Sequence, residues 1–519
     1  MVRLAIVAWM LMGGLGSCAV VPGQEVPAGE ARLDLVVHTG EILNPRLAPS
    51  IGAVHRMDWV EEADSPKTAW ATVPVVDFSE TAFELRFSVS RDTTVQIDFM
   101  GPWEPDGAGG LKPRIVQWVS ARSTHGELQG FRAGEAWHDR RIVCQLNAKA
   151  GTEIALQCVA TVPNRFRDTK TWRPAADSPA FELAKHFRRG VNLANFLEVP
   201  PGEDWGDNTI RQEDFRKIAA EGFDHVRIAV GWHHYVGPGP EFTVSNLMQQ
   251  RVGAMLDGAA EAGLGAIINV HHFNEFNTDP EGQRKKLFKI WEQVARLVRD
   301  RPLNVALEIL NEPNDQATTS FMNGFYAELI PAIRAIDPGR AILVGPGNFN
   351  QVNELGNLTL PEDDRLIVTI HNYTPHFFTH QSAWWGADTR HIRGVTFPGP
   401  PENPVAVPAL LPQYLKDQLE RYNVAPGDEN PCSPAAIAAE LKLASDWGRH
   451  WNRPVYLGEF GVFVEVDGPS RARYCEAMRR KCEELGIGWS LWDWKATFNY
   501  WDRGAQQPLP GMHDALFGK

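Results

Sequence analysis

The chain has 519 residues, which at roughly 100–200 residues per domain predicts two or three domains. Hydrophobic residues make up 43% and charged residues 22%, a balance that excludes a largely disordered chain. The 51 basic and 64 acidic residues leave a net charge of −13 without a long basic cluster, which argues against a nucleic-acid partner. Tryptophan outnumbers tyrosine 18 to 8; indole faces stack on the apolar faces of sugars, although large cores also use tryptophan.

The first residues, MVRLAIVAWMLMGGLGSC, set Arg3 before an apolar run from Leu4 to Met12 that is too short to span a bilayer comfortably. Leu15-Gly16-Ser17-Cys18 follows with the spacing of a bacterial lipobox. Residues 1–18 are therefore expected to be a lipoprotein-type signal peptide. Cys18 would carry the lipid, giving an exported cell-surface or periplasmic lipoprotein with a membrane anchor. An ordinary cleaved leader with an incidental Cys, giving a secreted chain, is the alternative. No later apolar run reaches the ~18 residues of a transmembrane helix. Residues 19–30, rich in Pro, Gly and Glu, read as a tether.

Residues 31–162 show short period-two runs broken by turn residues, such as Phe83, Leu85, Phe87 and Val89, then Val95, Ile97 and Phe99. This pattern predicts antiparallel strands and a β-sandwich-like domain. Such domains often bind carbohydrate, and Trp59, Trp103, Trp118 and Trp137 can form a platform or simply brace the sandwich; the bland role is slightly favoured. Cys144 and Cys158 lie on adjacent strand-like runs and could bridge a hairpin. Cys475 and Cys482 are seven apart on one helix, about 10 Å along its axis, so they cannot pair, though Cys432 could reach either. No CxxC or HExxH spacing appears, so neither metal nor organic cofactor is expected.

Pro163, Pro174 and Pro179 mark a linker over 163–186. Apolar runs then alternate with amphipathic stretches over 187–515. The strand candidates are 190–194, 225–230, 265–271, 304–310, 341–345, 366–371, 454–460 and 486–492. Helical patterns fall at 246–263, 283–300, 319–336, 434–451 and 470–485. Eight strand–helix steps predict an α/β chain with a (β/α)8 TIM barrel behind the smaller all-β domain. A long excursion, 374–433, with six prolines between Pro398 and Pro412, should overhang the barrel mouth.

Barrel chemistry sits at the carboxyl ends of the strands. Reading those ends gives Asn195, Arg227, His271, Asn311, Glu312, His371, Tyr373, Glu459 and Trp492. A single Glu at a strand end is more often a surface or salt-bridge residue; the recurrence of polar groups around one barrel makes the case. An acid beside an apolar strand end is desolvated, which raises its pKa and suits a proton donor. Arg227 is the natural cation to keep a second acid ionised. Two carboxyls in opposed environments are what glycosidic cleavage requires. Glu308 shares strand parity with Glu312 and should point into the barrel one layer deeper.

At these residues the chain resembles glycoside hydrolase family 5, over about 185–515. Asn311-Glu312-Pro313 matches the family's Asn-Glu-Pro signature, and Leu457-Gly458-Glu459-Phe460-Gly461 its nucleophile strand. Arg227, His271, His371 with Tyr373, the THQSAWW segment at 379–385 and Trp492 follow in the family's order. Ser382 stands where Gly is frequent, and Asn269 where an Asp often precedes the His. The resemblance implies a retaining mechanism with Glu312 as acid/base and Glu459 as nucleophile. It also implies Arg227 and Tyr373 bonded to Glu459, Asn311 on the sugar 2-hydroxyl, and His271 and His371 as supports. Trp492 would be a stacking floor, with Trp384 or Trp385 extending the cleft. The expected substrate is a β-1,4-linked polysaccharide, a glucan ahead of a mannan, with endo action favoured over exo. A catalytically silent glycan-binding protein is the reading from another class. Asn311 and Glu312 can both face the site only if strand alternation breaks between them.

Overall fold

A computed structural model of the protein describes residues 171–518 apart from 207 and, ahead of them, 30–37, 40–47, 59–60, 67–74, 80–100, 103–105, 111–113, 117–124, 128 and 142–161. The chain divides into two compact units, one lying before residue 163 and the other comprising Pro163–Lys519 with Pro105–Lys112.

The first unit holds two antiparallel sheets. One runs in the order Ile142–Ala148, Thr93–Met100, Glu30–Val37, Lys67–Pro74, Trp59–Val60; the other Ile42–Leu47, Glu80–Val89, Ile154–Thr161, Gln117–Ser123. Alternate residues are buried, among them Leu35 and Val37, Leu85, Phe87 and Val89, and Ile154 and Leu156, so each sheet has one apolar face. The hairpin expected to join Cys144 and Cys158 does not form: their strands are consecutive but belong to different sheets. Both thiols, the side chains of Trp59, Trp103 and Trp118, all of Trp137, and residues 1–29 with Cys18 lie outside the described residues.

The second unit is a closed barrel of eight parallel strands: β1 (Arg189–Leu197), β2 (His225–Val230), β3 (Gly265–Asn269), β4 (Val305–Glu308), β5 (Ile342–Val344), β6 (Leu366–His371), β7 (Val455–Phe460) and β8 (Gly488–Leu491). Every residue of β2 to β8 is buried, because helices cover the outside while side chains fill the inside. Helix Pro434–Trp451 shows why these segments fold as they do. Ser433 caps its first turn, accepting from Ala436 N–H, and Ile437, Leu441, Ala444, Trp447 and Trp451 form one buried stripe at helical spacing. Pairing slips register at the carboxyl ends of β1, β6 and β7, where bulges re-aim the side chains of the mouth.

Part of the expected linker belongs to the barrel. Helix Pro179–Ala184 and the residues before it pack beneath the barrel: Thr171 Oγ1 donates to the Leu358 carbonyl (2.7 Å), Ser178 Oγ to that of Asp364 (2.7 Å), and Arg453 lies over the Trp172 ring. Leu183 and Phe187 then join Ile267, Leu343, Ile367 and Tyr456 in an apolar floor. Cys432, Cys475 and Cys482 are buried free thiols, so the Cys432 bridge is not made. Cys432 Sγ instead faces the Thr396 carbonyl at 3.6 Å.

The floor sets a close approach at the start of β8. A Cβ added to Gly488 would lie 2.0 Å from the Phe187 carbonyl oxygen, a backbone atom that cannot swing away. Gly488→Ala is therefore expected to lower barrel stability by about 1–3 kcal/mol, measured as the shift in its denaturant midpoint; an unchanged midpoint would contradict this packing.

Candidate active site

The site is built around one guanidinium. Arg227, on β2 and fully buried, has five N–H donors, and each finds an acceptor. Nε and Nη2 hold the two oxygens of Glu308 at 2.6 and 2.8 Å, a bidentate pair. Nη1 donates to Asn192 Oδ1 and to Glu459 Oε1, both at 2.8 Å, and the second Nη2 proton goes to Asn311 Oδ1 at 2.6 Å. β1, β2, β4 and β7 are thereby tied into one polar layer above the apolar floor.

The alternation breaks where two site residues are adjacent in sequence. β4 ends at Glu308, and Glu312 adopts a left-handed backbone, φ +49°. Asn311 thus turns down onto Arg227, while Glu312 turns to His371, whose Nδ1 lies 2.8 Å from Glu312 Oε1. Tyr373 Oη donates to Glu459 Oε2 at 3.0 Å, so both oxygens of that carboxylate are held. One donor or acceptor atom each from Glu312, His371 and Glu459 gather within 4.8 Å of one another.

The two acids differ in what opposes their burial. Burial pushes Glu312 up to about 7, with Arg227 pulling it back only in part and Glu308 adding to the rise. Burial also raises Glu459, with Arg227 acting against it by its charge and through a direct hydrogen bond and Glu312 adding to the rise. Burial lowers His371 to about 4 and holds it neutral. One acid is thus poised to keep its proton near neutrality, and the other rests against a fixed cation.

Around this pair the remaining predicted residues take distinct places. His271 is buried, and its Nδ1 lies 2.9 Å from Asn269 Nδ2; Asn269, the departure noted at this position, therefore orients the imidazole. His271 stacks on Trp492, centroids 5.3 Å apart and planes 10° from parallel, which covers one indole face. Trp385 packs against Phe463 and Phe498, and Phe498 against Tyr373, so the excursion is linked to the site by ring contacts. Trp384 is 76% exposed.

Asn195 does not join the hub: it is Asn192, three residues earlier and facing the barrel interior, that meets Arg227. The left-handed Asn195 instead lends its backbone N–H to the carboxylate of buried Glu198, which also accepts from Phe196 N–H at 2.9 Å. Glu198 is raised to about 7 by burial, and Asp493, which accepts from Phe498 N–H, to about 6. Perturbed acids are therefore not confined to the candidate pair; a commitment to backbone amides separates these two from it. Period-two parity could have found Asn192, whereas nothing in the local sequence marks Glu198.

A (β/α)8 barrel with two differently tuned carboxyls at the ends of β4 and β7, Glu459 buried and Glu312 half-buried, is the arrangement expected of a glycosidase-type site. Residues 185–497 match the family model described as cellulase (glycosyl hydrolase family 5), and the chain belongs to that family. It is a glycoside hydrolase. Endoglucanase C of Acetivibrio thermocellus is 29% identical over 327 residues, 60% of this chain and 91% of that protein. Endoglucanase H of the same organism is 28% identical over 330 residues, and the match spans only 32% of that longer protein. Among solved structures, an endoglucanase superposes with a TM-score of 0.58 at 31% identity, covering 66% of this chain and all of that one. Thermotoga maritima Cel5A in complex with mannotriose superposes with a TM-score of 0.57 at 28% identity, covering 65% and 100%.

The hub makes a stability prediction independent of activity. Arg227→Met strands the doubly bonded, fully buried Glu308 carboxylate, so the barrel should lose about 3–5 kcal/mol in denaturant unfolding. A loss below about 1 kcal/mol would mean that the pair is not buried as described.

Proposed function

We propose that this hydrolase is an endo-acting, retaining β-1,4-glucanase in which Glu312 is the acid/base and Glu459 the nucleophile. The observation that carries this reading is the pair itself: oxygens within 4.8 Å, one acid biased toward protonation and one against a guanidinium. An approach this close is in keeping with the ~5–5.5 Å carboxyl separation of retaining enzymes.

In the first step ionised Glu459 attacks the anomeric carbon while Glu312 gives its proton to the departing glycosidic oxygen. The C–O bond to the leaving sugar breaks as the C–O bond to Glu459 forms. Glu312, now ionised, takes a proton from water, whose oxygen attacks the same carbon and releases Glu459. Arg227 and Tyr373 fix both oxygens of Glu459, so the nucleophile is already oriented. Asn311, its carbonyl oxygen bonded to Arg227, keeps its amide N–H group for the sugar 2-hydroxyl. Trp492, stacked on His271, is the sugar-facing floor, and exposed Trp384 with Trp385 lengthens the cleft.

Endo action on a glucan is supported by the relatives, which are endoglucanases. A β-mannanase is the second reading, favoured by the similar structure solved with mannotriose. The Leu15–Cys18 motif supports an exported enzyme, anchored by lipid, that meets polysaccharide outside the cytoplasm.

Glu312→Gln and Glu459→Gln should each reduce reducing-end release from barley β-glucan, glucomannan or carboxymethyl-cellulose by at least about 10³-fold without unfolding the chain. Normal turnover by either variant would overturn the assignment. The pH profile has a stated sign. Catalysis needs Glu312 protonated and Glu459 ionised, so kcat/KM should fall as pH rises through about 7. The acid limb should lie above the ordinary carboxylate range, because Glu459 is raised. Activity undiminished well above pH 7 would remove Glu312 as the acid.

A further inference from the structure

A neutral imidazole donates from one ring nitrogen and accepts at the other, and a partner on one side settles which. His371 Nδ1 faces Glu312 Oε1 at 2.8 Å, so the tautomer of His371 decides where the acidic proton of Glu312 resides. If Nδ1 were the acceptor, the carboxyl proton would be drawn to the ring and away from the glycosidic oxygen. Behind the ring, Asn350 Nδ2 lies 3.4 Å from Nε2, and no other described side chain bonds that nitrogen.

We propose that Asn350 is a positioning residue for acid catalysis: its amide N–H donates to His371 Nε2 and keeps the imidazole proton on Nδ1. Nδ1–H then donates to Glu312 Oε1, and the carboxyl proton is left on Oε2, the oxygen free to protonate the leaving group. This rests on the acid role given to Glu312 above.

The local structure is arranged around that amide. Asn348, Phe349 and Asn350 are three successive left-handed residues, φ +52°, +63° and +56°, just beyond β5. Such backbone is disfavoured for non-glycine residues and persists only where its surroundings impose it. Asn350 is fully buried, and a Cβ on Gly345 would come 2.3 Å from its Oδ1. On the other side, a Cβ on Gly458 would lie 2.9 Å from His371 Nε2, so both glycines leave room for this contact.

The amide orientation follows from counting unpaired atoms. As placed, Nδ2 pairs with His371 Nε2 through one N–H, and Oδ1 has no partner among the described residues. Reversed, the amide would turn both N–H groups toward Gly345 and its oxygen toward the ring, and orphaned buried donors are rarer than orphaned carbonyls. The charged and titratable groups facing His371 are Glu312 and Glu308 from the β4 side, Glu459 on β7, Arg227 on β2 and His271 beyond β3. None of these bonds Nε2, and the ring is neutral because burial holds it near 4.

Asn350→Asp tests the proposal while keeping side-chain size and tolerance of the left-handed backbone. Its ionised carboxylate only accepts, so the ring proton should move to Nε2. Histidine-15N NMR, with the His371 signals identified by their loss in His371→Asn, should show protonated Nδ1 in the native chain and protonated Nε2 in the variant. Kinetically, kcat/KM on a cello-oligosaccharide should fall at least about tenfold, while 2,4-dinitrophenyl β-cellobioside, whose leaving group needs no proton, should stay within about twofold. Glu312→Ala is the reference and should show the same split. No split in Glu312→Ala overturns the acid role of Glu312 and this proposal with it. A split in Glu312→Ala but not in Asn350→Asp, or an unchanged tautomer, overturns the role of Asn350 alone. Should Asn350→Asp not fold, Asn350→Gly removes the donor on a backbone glycine adopts freely and must show the same split.

Discussion

The bonding of Arg227 is the constraint on which the site depends. A guanidinium has five donors in a rigid plane, and here all five are used inside the barrel, two on Glu308 and one each on Asn192, Asn311 and Glu459. Burying such a group is costly in itself, and the cost is offset only because no donor is left unpaired. The consequence is positional. Strands β1, β2, β4 and β7 cannot slide past one another without breaking a charge-assisted bond. One of the two carboxyls at the mouth, Glu459, is held by the same guanidinium that holds the layer below it.

That shared anchor also creates the difference between the acids. Burial raises both acids, but only Glu459, the more deeply buried of the two, has a direct cationic partner in Arg227. Glu308 completes the asymmetry: it takes the bidentate half of the guanidinium and adds a negative field that raises Glu312. Glu198 and Asp493 are also buried and raised, but their oxygens bind backbone amides that shape the loops after β1 and β8. Here geometry, more than pKa, distinguishes a reactive acid from a structural one.

Much of this was legible in the sequence because it rests on local pattern. Buried parallel strands read as apolar runs, and LEILNEPN and VYLGEFG each end such a run with an acid. What escaped depends on contacts between distant segments. Asn195 reads as a strand-end candidate, but pairing slips register between Leu193 and Leu197, and it is Asn192 that meets Arg227. Residues 171–186 resembled a linker because their partners, Leu358, Asp364 and Arg453, lie far along the chain. Asn350 carries no signal at all: its importance comes from a run of left-handed residues that places it behind His371, and such a run has no compositional mark.

The central claim is that Glu459 becomes covalently bound to sugar. Incubation with a 2-deoxy-2-fluoro β-cellobioside bearing a 2,4-dinitrophenyl leaving group, followed by peptide mass spectrometry, tests it most directly. One fluoro-sugar per chain, released slowly by water, is expected on Glu459 in the peptide spanning β7. Attachment to another residue, or turnover of the reagent with inverted product and no adduct, would contradict it.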